Sequence, residues 1–119
     1  MNKESVVKNN RDFSNIIKNG KYVKNEYLVI YALPNNIDRY RFGISVGKKI
    51  GNAVVRNKIK RQLRNIVYKY KKSYLNCNDY IIIVRNSYTS LNFSEIDDCF
   101  KNLIDKLNGR LLNERKKEK

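Results

Sequence analysis

Arg56, Asn57, Lys58, Lys60, Arg61 and Arg64 fall within nine residues of one another, Lys48 and Lys49 lie just upstream, and no acidic residue occurs between Asp38 and Asp79. A guanidinium grips phosphate oxygens bidentately and an ammonium acts as a compact point charge, so this set suits a phosphate backbone more than base edges. Asn57 adds an amide that donates and accepts without adding charge, which fits a phosphate or a ribose hydroxyl. Same-sign neighbours four residues apart repel by a few tenths of a kcal/mol each, whereas a solvated helix ordinarily mixes its charges. A solvated basic helix without a partner is the plainer alternative, and an anionic partner accounts better for the missing acids.

Other chemistry finds little support. The chain has no histidine, which removes the commonest general base and a usual zinc ligand. Cys77 and Cys99 stand too far apart in sequence for a metal knuckle and read as reduced thiols. Glu95, Asp97 and Asp98 invite comparison with a hydrolytic metal site, but acids at a helix start serve the helix dipole more simply. Gly43, Gly47 and Gly51 recur evenly without forming a phosphate-cradling fingerprint, so turn and packing roles suffice. No catalytic residue, no metal ligand and no cofactor bound by the protein alone are expected.

The basic residues need a scaffold. Val55, Ile59, Leu63, Ile66 and Tyr70 recur at helical spacing, so a helix from Ala53 to about Lys72, capped by Asn52, packs one face and presents fixed cations on the others. Upstream, Asn10 is a candidate N-cap for a short helix carrying Phe13, Ile16 and Ile17 and ending at Gly20. Tyr27–Leu33 and Arg41–Gly47 read as two strands able to form an antiparallel hairpin. Tyr80–Arg85 is nearly all apolar, the pattern of a strand covered on both faces. Ser94 with Asp97 resembles a capping box for a third helix whose buried face, Ile96, Phe100, Leu103 and Leu107, ends at Gly109. Arg110–Lys119 reads as a frayed basic tail.

At 119 residues with 26 Lys+Arg against 11 Asp+Glu, the formal charge is +15, enough to attract polyanions. One domain spanning 1–119, with its core at about 8–108, fits this length. No apolar run approaches the roughly 20 residues of a spanning helix and no signal peptide stands out, so membranes are not expected partners and a cytoplasmic protein is. Tyr27, Val29 and Tyr31 share one face of the first long strand. Phe13 and Tyr31 either pack in the core or border a groove where unpaired bases stack for about 1–3 kcal/mol each.

Taken together, the segment Lys48-Lys49-Ile50-Gly51-Asn52-Ala53-Val54-Val55-Arg56-Asn57-Lys58-Ile59-Lys60-Arg61-Gln62-Leu63-Arg64 resembles the signature helix of the bacterial ribonuclease P protein family. Asp12-Phe13, Val29-Ile30-Tyr31, Gly43-Ile44-Ser45-Val46 and Asp79-Tyr80-Ile81-Ile82-Ile83 extend the resemblance in order from about Lys8 to Lys106. It implies an α+β, two-layer αβββαβα sandwich, ribosomal-protein-like, with an unusual left-handed βαβ crossover that general handedness rules would not suggest. It also implies a protein subunit that binds the catalytic ribonuclease P RNA, one copy per RNA, and the 5′ leader of precursor tRNA. The active site and its Mg2+ ions are then the RNA's. Arg56, Asn57, Lys58, Lys60, Arg61 and Arg64 match the RNA-contacting signature. Phe13, Ile17, Val29 and Tyr31 match the leader cleft, with Lys48 and Lys49 at its edge. Two positions depart from the pattern: Lys58 replaces an arginine, losing its fork, and Ile17 stands where relatives often have phenylalanine, losing a flat stacking face. A ribosomal or general RNA-binding protein is the alternative reading.

Overall fold

The computed structural model describes Val7 and residues 10–75 and 77–117, with side chains as far as Leu112. Helix α1 (Asn10–Asn19) leads into strands β1 (Lys21–Lys24), β2 (Leu28–Pro34) and β3 (Arg41–Ser45). Helix α2 (Ala53–Lys69), strand β4 (Asn78–Val84) and helix α3 (Phe93–Lys117) follow. The element order is therefore the αβββαβα expected, with β1 as the short additional strand.

Strand order differs from the expected hairpin. The sheet runs β1-β2-β4-β3, with β4 antiparallel to β2 and parallel to β3. β2 and β3 are thus not neighbours, because β4 lies between them. Its sequence explains the insertion: Tyr80, Ile81, Ile82 and Val84 are buried, and a strand apolar on both faces belongs in the interior of a sheet. The chain reaches that place by α2, which supplies the long connection that parallel strands require.

The main core lies between one sheet face and α2 and α3. Leu28, Ile30, Ala32, Phe42, Tyr80 and Ile82 meet Ile59, Leu63 and Ile66 of α2 and Phe100, Ile104 and Leu107 of α3. These form the two layers of the sandwich. α1 sits on the opposite face, where Ile16 and Val7 are buried with Ile81, and Phe13, Tyr31, Leu33 and Ile83 pack around them. Close contact seats α1. A Cβ on Gly43 would come within 2.5 Å of the Phe13 ring, and one on Gly20 within 2.5 Å of the Ile16 carbonyl oxygen. Arg41 adds a fork to Asp79, with Nε donating to Oδ1 at 2.8 Å and NH1 lying 3.8 Å from Asp12 of α1.

Helix ends correct two expectations. The capping box at α3 is Asn92 with Glu95, each side chain accepting the other's backbone N–H at 2.9 and 3.1 Å. Asp97 instead is buried and accepts from Lys69 Nζ at 2.7 Å and from the Tyr70 hydroxyl, joining α3 to the end of α2. Burial pushes the Asp97 carboxyl up, but the two hydrogen bonds and the lysine's charge together outweigh it and hold the group below its usual range. α3 also runs through Gly109, because Leu111, four residues after Leu107, is buried. Segment 110–117 is thus helical and not a frayed tail. Lys8, where the core was expected to begin, lies outside the described residues, as do Glu118 and Lys119. No helix among the described residues is long and apolar enough to cross a membrane.

Candidate nucleic-acid interface

α2 begins where Asn52 accepts the Val55 N–H at 3.0 Å, the N-cap expected from the sequence. Ile59, Leu63, Ile66 and Val67 then bury its inner face. Val55, assigned to that face by periodicity, is instead 37% exposed, since it lies in the first turn before the helix settles on the sheet. The buried stripe fixes the rotation of α2 and with it the direction of every cation.

Arg56, Lys60 and Arg64 follow one another at four-residue spacing along the flank and outer side, with Asn57 and Arg61 beside them. Arg56 and Lys60 are half-buried, while Asn57, Arg61 and Arg64 are exposed. The Arg56 Nε is buried and finds no acceptor among the described residues. Such a donor is costly to leave unpaired, and a phosphate oxygen drawn to this guanidinium would relieve that cost. Lys48 and Lys49 are exposed on the single helical turn Lys48–Ile50 between β3 and α2. The structure sets Lys58 apart. It lines a separate depression of about 190 Å³ with Val55, Gln62, Tyr88, Leu91 and Phe93, on the flank of α2 nearer α3.

Lys60 joins α2 to the other sheet face. With Phe13 and Ser14 of α1 and Ile44, Ser45 and Val46 of β3 and its exit, it borders an open depression of about 350 Å³ at the edge of the sheet. Phe13 therefore does both things the sequence left open: its ring lies on Gly43 and it also walls this opening. Ile17, one turn further along α1, is 38% exposed. Val29 and Tyr31 are half-buried on the same sheet face, and Tyr31 meets Tyr22 with ring centroids 5.5 Å apart. Tyr22 escaped sequence reasoning because a four-residue strand carries too short a pattern to show which way its side chains point. Asp97 is engaged across the core, and no three His, Cys, Asp or Glu residues gather into a cation-holding cluster among the described residues.

A basic helix whose stripe continues into an aromatic sheet face matches a known family over nearly the whole chain. The family described as Ribonuclease P covers residues 1–108. The chain belongs to the ribonuclease P protein family. The ribonuclease P protein component of Streptococcus pneumoniae serotype 4 is 40% identical over 104 residues, covering 87% of this chain and 82% of that one. The solved ribonuclease P protein of Staphylococcus aureus superposes with a TM-score of 0.78 at 39% identity, covering 85% of this chain and 93% of that one. The Thermotoga maritima ribonuclease P protein gives 0.76 at 33% identity, covering 84% and 94% respectively. The mixed four-stranded sheet with three helices is accordingly the fold of this family.

Proposed function

We propose that the chain is the protein subunit of ribonuclease P, holding the catalytic RNA through α2 and the 5′ leader of precursor tRNA along the sheet face beside α1. The observation that carries this reading is the shared position of Lys60, which belongs to the basic row of α2 and also borders the opening next to Phe13. One surface can then hold two separate sugar–phosphate backbones side by side, that of the catalytic RNA and that of the substrate leader. Arg56, Arg61 and Arg64 bind phosphate by charge-assisted hydrogen bonds, Asn57 completes a phosphate or ribose contact, and Tyr31 and Phe13 offer rings to unpaired bases. Lys48 and Lys49 draw the backbone toward the β3 edge.

The family implies Mg2+, and the donors on α2 do not suit it. Ammonium and guanidinium groups repel a divalent cation, and magnesium prefers carboxylate, phosphate and water oxygens. The metal belongs with the RNA, which supplies the hydrolytic chemistry, while this chain binds and orients. Comparing the affinity of the reconstituted holoenzyme for leader-bearing precursor and for mature tRNA tests the assignment. A preference for the precursor that appears only when the protein is present supports it. Equal affinity for both, together with co-sedimentation of the protein with ribosomes, would support the ribosomal or general RNA-binding reading instead.

A further inference from the structure

The strand register places two rows of side chains across the face that α1 only partly covers. One row is Tyr22, Tyr31, Ile81 and Gly43, and the next is Lys24, Val29, Ile83 and Ser45. α1 closes the Gly43 and Ile81 end of the first row through Phe13 and Ile16. The second row is left as a floor that crosses all four strands, about 14 Å over three interstrand gaps. At its β3 end Ser45 borders the opening shared with Lys60. At its β1 end stand Lys24, exposed, and Tyr22, 45% exposed and beside the half-buried Tyr31 ring.

We infer that Tyr22 and Lys24 form a distal nucleotide site at the β1 end of this groove, where one unpaired leader nucleotide stacks on the Tyr22 ring and places its phosphate by the Lys24 ammonium. The inference rests on the leader-binding reading and extends it to residues that neither the signature nor the cleft positions include. Charge selects the occupant. The middle of the floor is apolar and each end carries a lysine, an arrangement complementary to a strand that has bases on one side and phosphates along the other. Cross-strand packing accounts for the contact between the two tyrosines. It does not account for a ring left nearly half open next to a cation, on a face continuous with the basic row of α2. Tyr31 fixes the Tyr22 ring from one side, so the open side is presented at little ordering cost.

The test is the affinity of reconstituted holoenzymes for precursor tRNAs whose leaders lengthen one nucleotide at a time. The wild-type protein is compared with Tyr22→Ala, Tyr22→Phe, Lys24→Ala and, as the proximal control, Tyr31→Ala. The wild-type-to-variant affinity ratio for Tyr22→Ala is expected to rise with leader length to about tenfold, within the range of one base stacked on a ring. Tyr22→Phe should keep the wild-type profile because it keeps the ring. Lys24→Ala should lose affinity over the same leader lengths as Tyr22→Ala, and Tyr31→Ala at shorter ones. A Tyr22→Ala ratio constant across all leaders, or shared by Tyr22→Phe, would overturn the distal site and leave leader binding itself standing. If wild type gains nothing from any leader, the leader-binding reading fails first and the distal site with it. Thermal melts of each variant separate unfolding from the absence of a stacking or phosphate partner.

Discussion

Arg61 and Arg64 are exposed on a helix held by four buried residues, so their charge is available without rearrangement. Replacing either with alanine should weaken binding to the catalytic RNA and flatten the plot of log affinity against log salt by about 0.7–0.9 for each phosphate no longer neutralised. Titrations at several salt concentrations read this directly, and an unchanged slope would remove the residue from the phosphate interface. Lys58→Ala should change the slope less than either, because Lys58 lines the opposite flank of α2. Asp97 lends itself to a pH experiment. Its carboxyl is held below the usual range when folded, so its stabilising contribution is full above the unfolded value of about 4 and disappears as the pH falls through the folded value. Asp97→Asn should therefore lower Tm by several degrees at neutral pH and remove part of the acid sensitivity that wild type shows below about pH 4. The Lys69 partnership of Asp97 could not be seen in the sequence, since the two are separated by 28 positions and nothing local distinguishes Asp97 from a capping acid.

Among the elements, α2 was legible almost completely, since its cap and its apolar stripe are local patterns. The central place of β4 followed from its unbroken apolar run. Pairing was not legible: β2 and β3 are consecutive and alternate suitably, yet the strand that separates them arrives only after α2. The groove floor was hidden for the same reason, because a row across four strands exists only once the register is fixed. Its wall makes a sharp prediction. Gly43→Ala would drive a methyl into the Phe13 ring and displace α1, at a cost of about 1–3 kcal/mol for overpacking. Denaturant melts measure the cost, and leader affinity should fall with it. Leu63→Ala should cost about 2–5 kcal/mol through the cavity it leaves in the main core. RNA affinity should then recover under strongly stabilising conditions, since Leu63 is fully buried and cannot itself touch RNA.

For the molecule as a whole, the charge of +15 and the absence of histidine make sense together. The excess charge suits a polyanionic partner, and under the proposed function, in which the RNA supplies the chemistry, the chain has no need of the common general base. On that reading the protein's cations would screen phosphate repulsion that magnesium would otherwise have to offset, so the protein's benefit should be greatest where magnesium is scarce. The decisive measurement is cleavage of 5′-labelled precursor tRNA at low Mg2+ by a bacterial ribonuclease P RNA, with and without this protein. Cleavage at the mature 5′ end that appears on adding the protein, and fades as the leader is shortened, is the predicted result. Identical cleavage in both reactions, with the protein folded and bound to the RNA, would contradict the account.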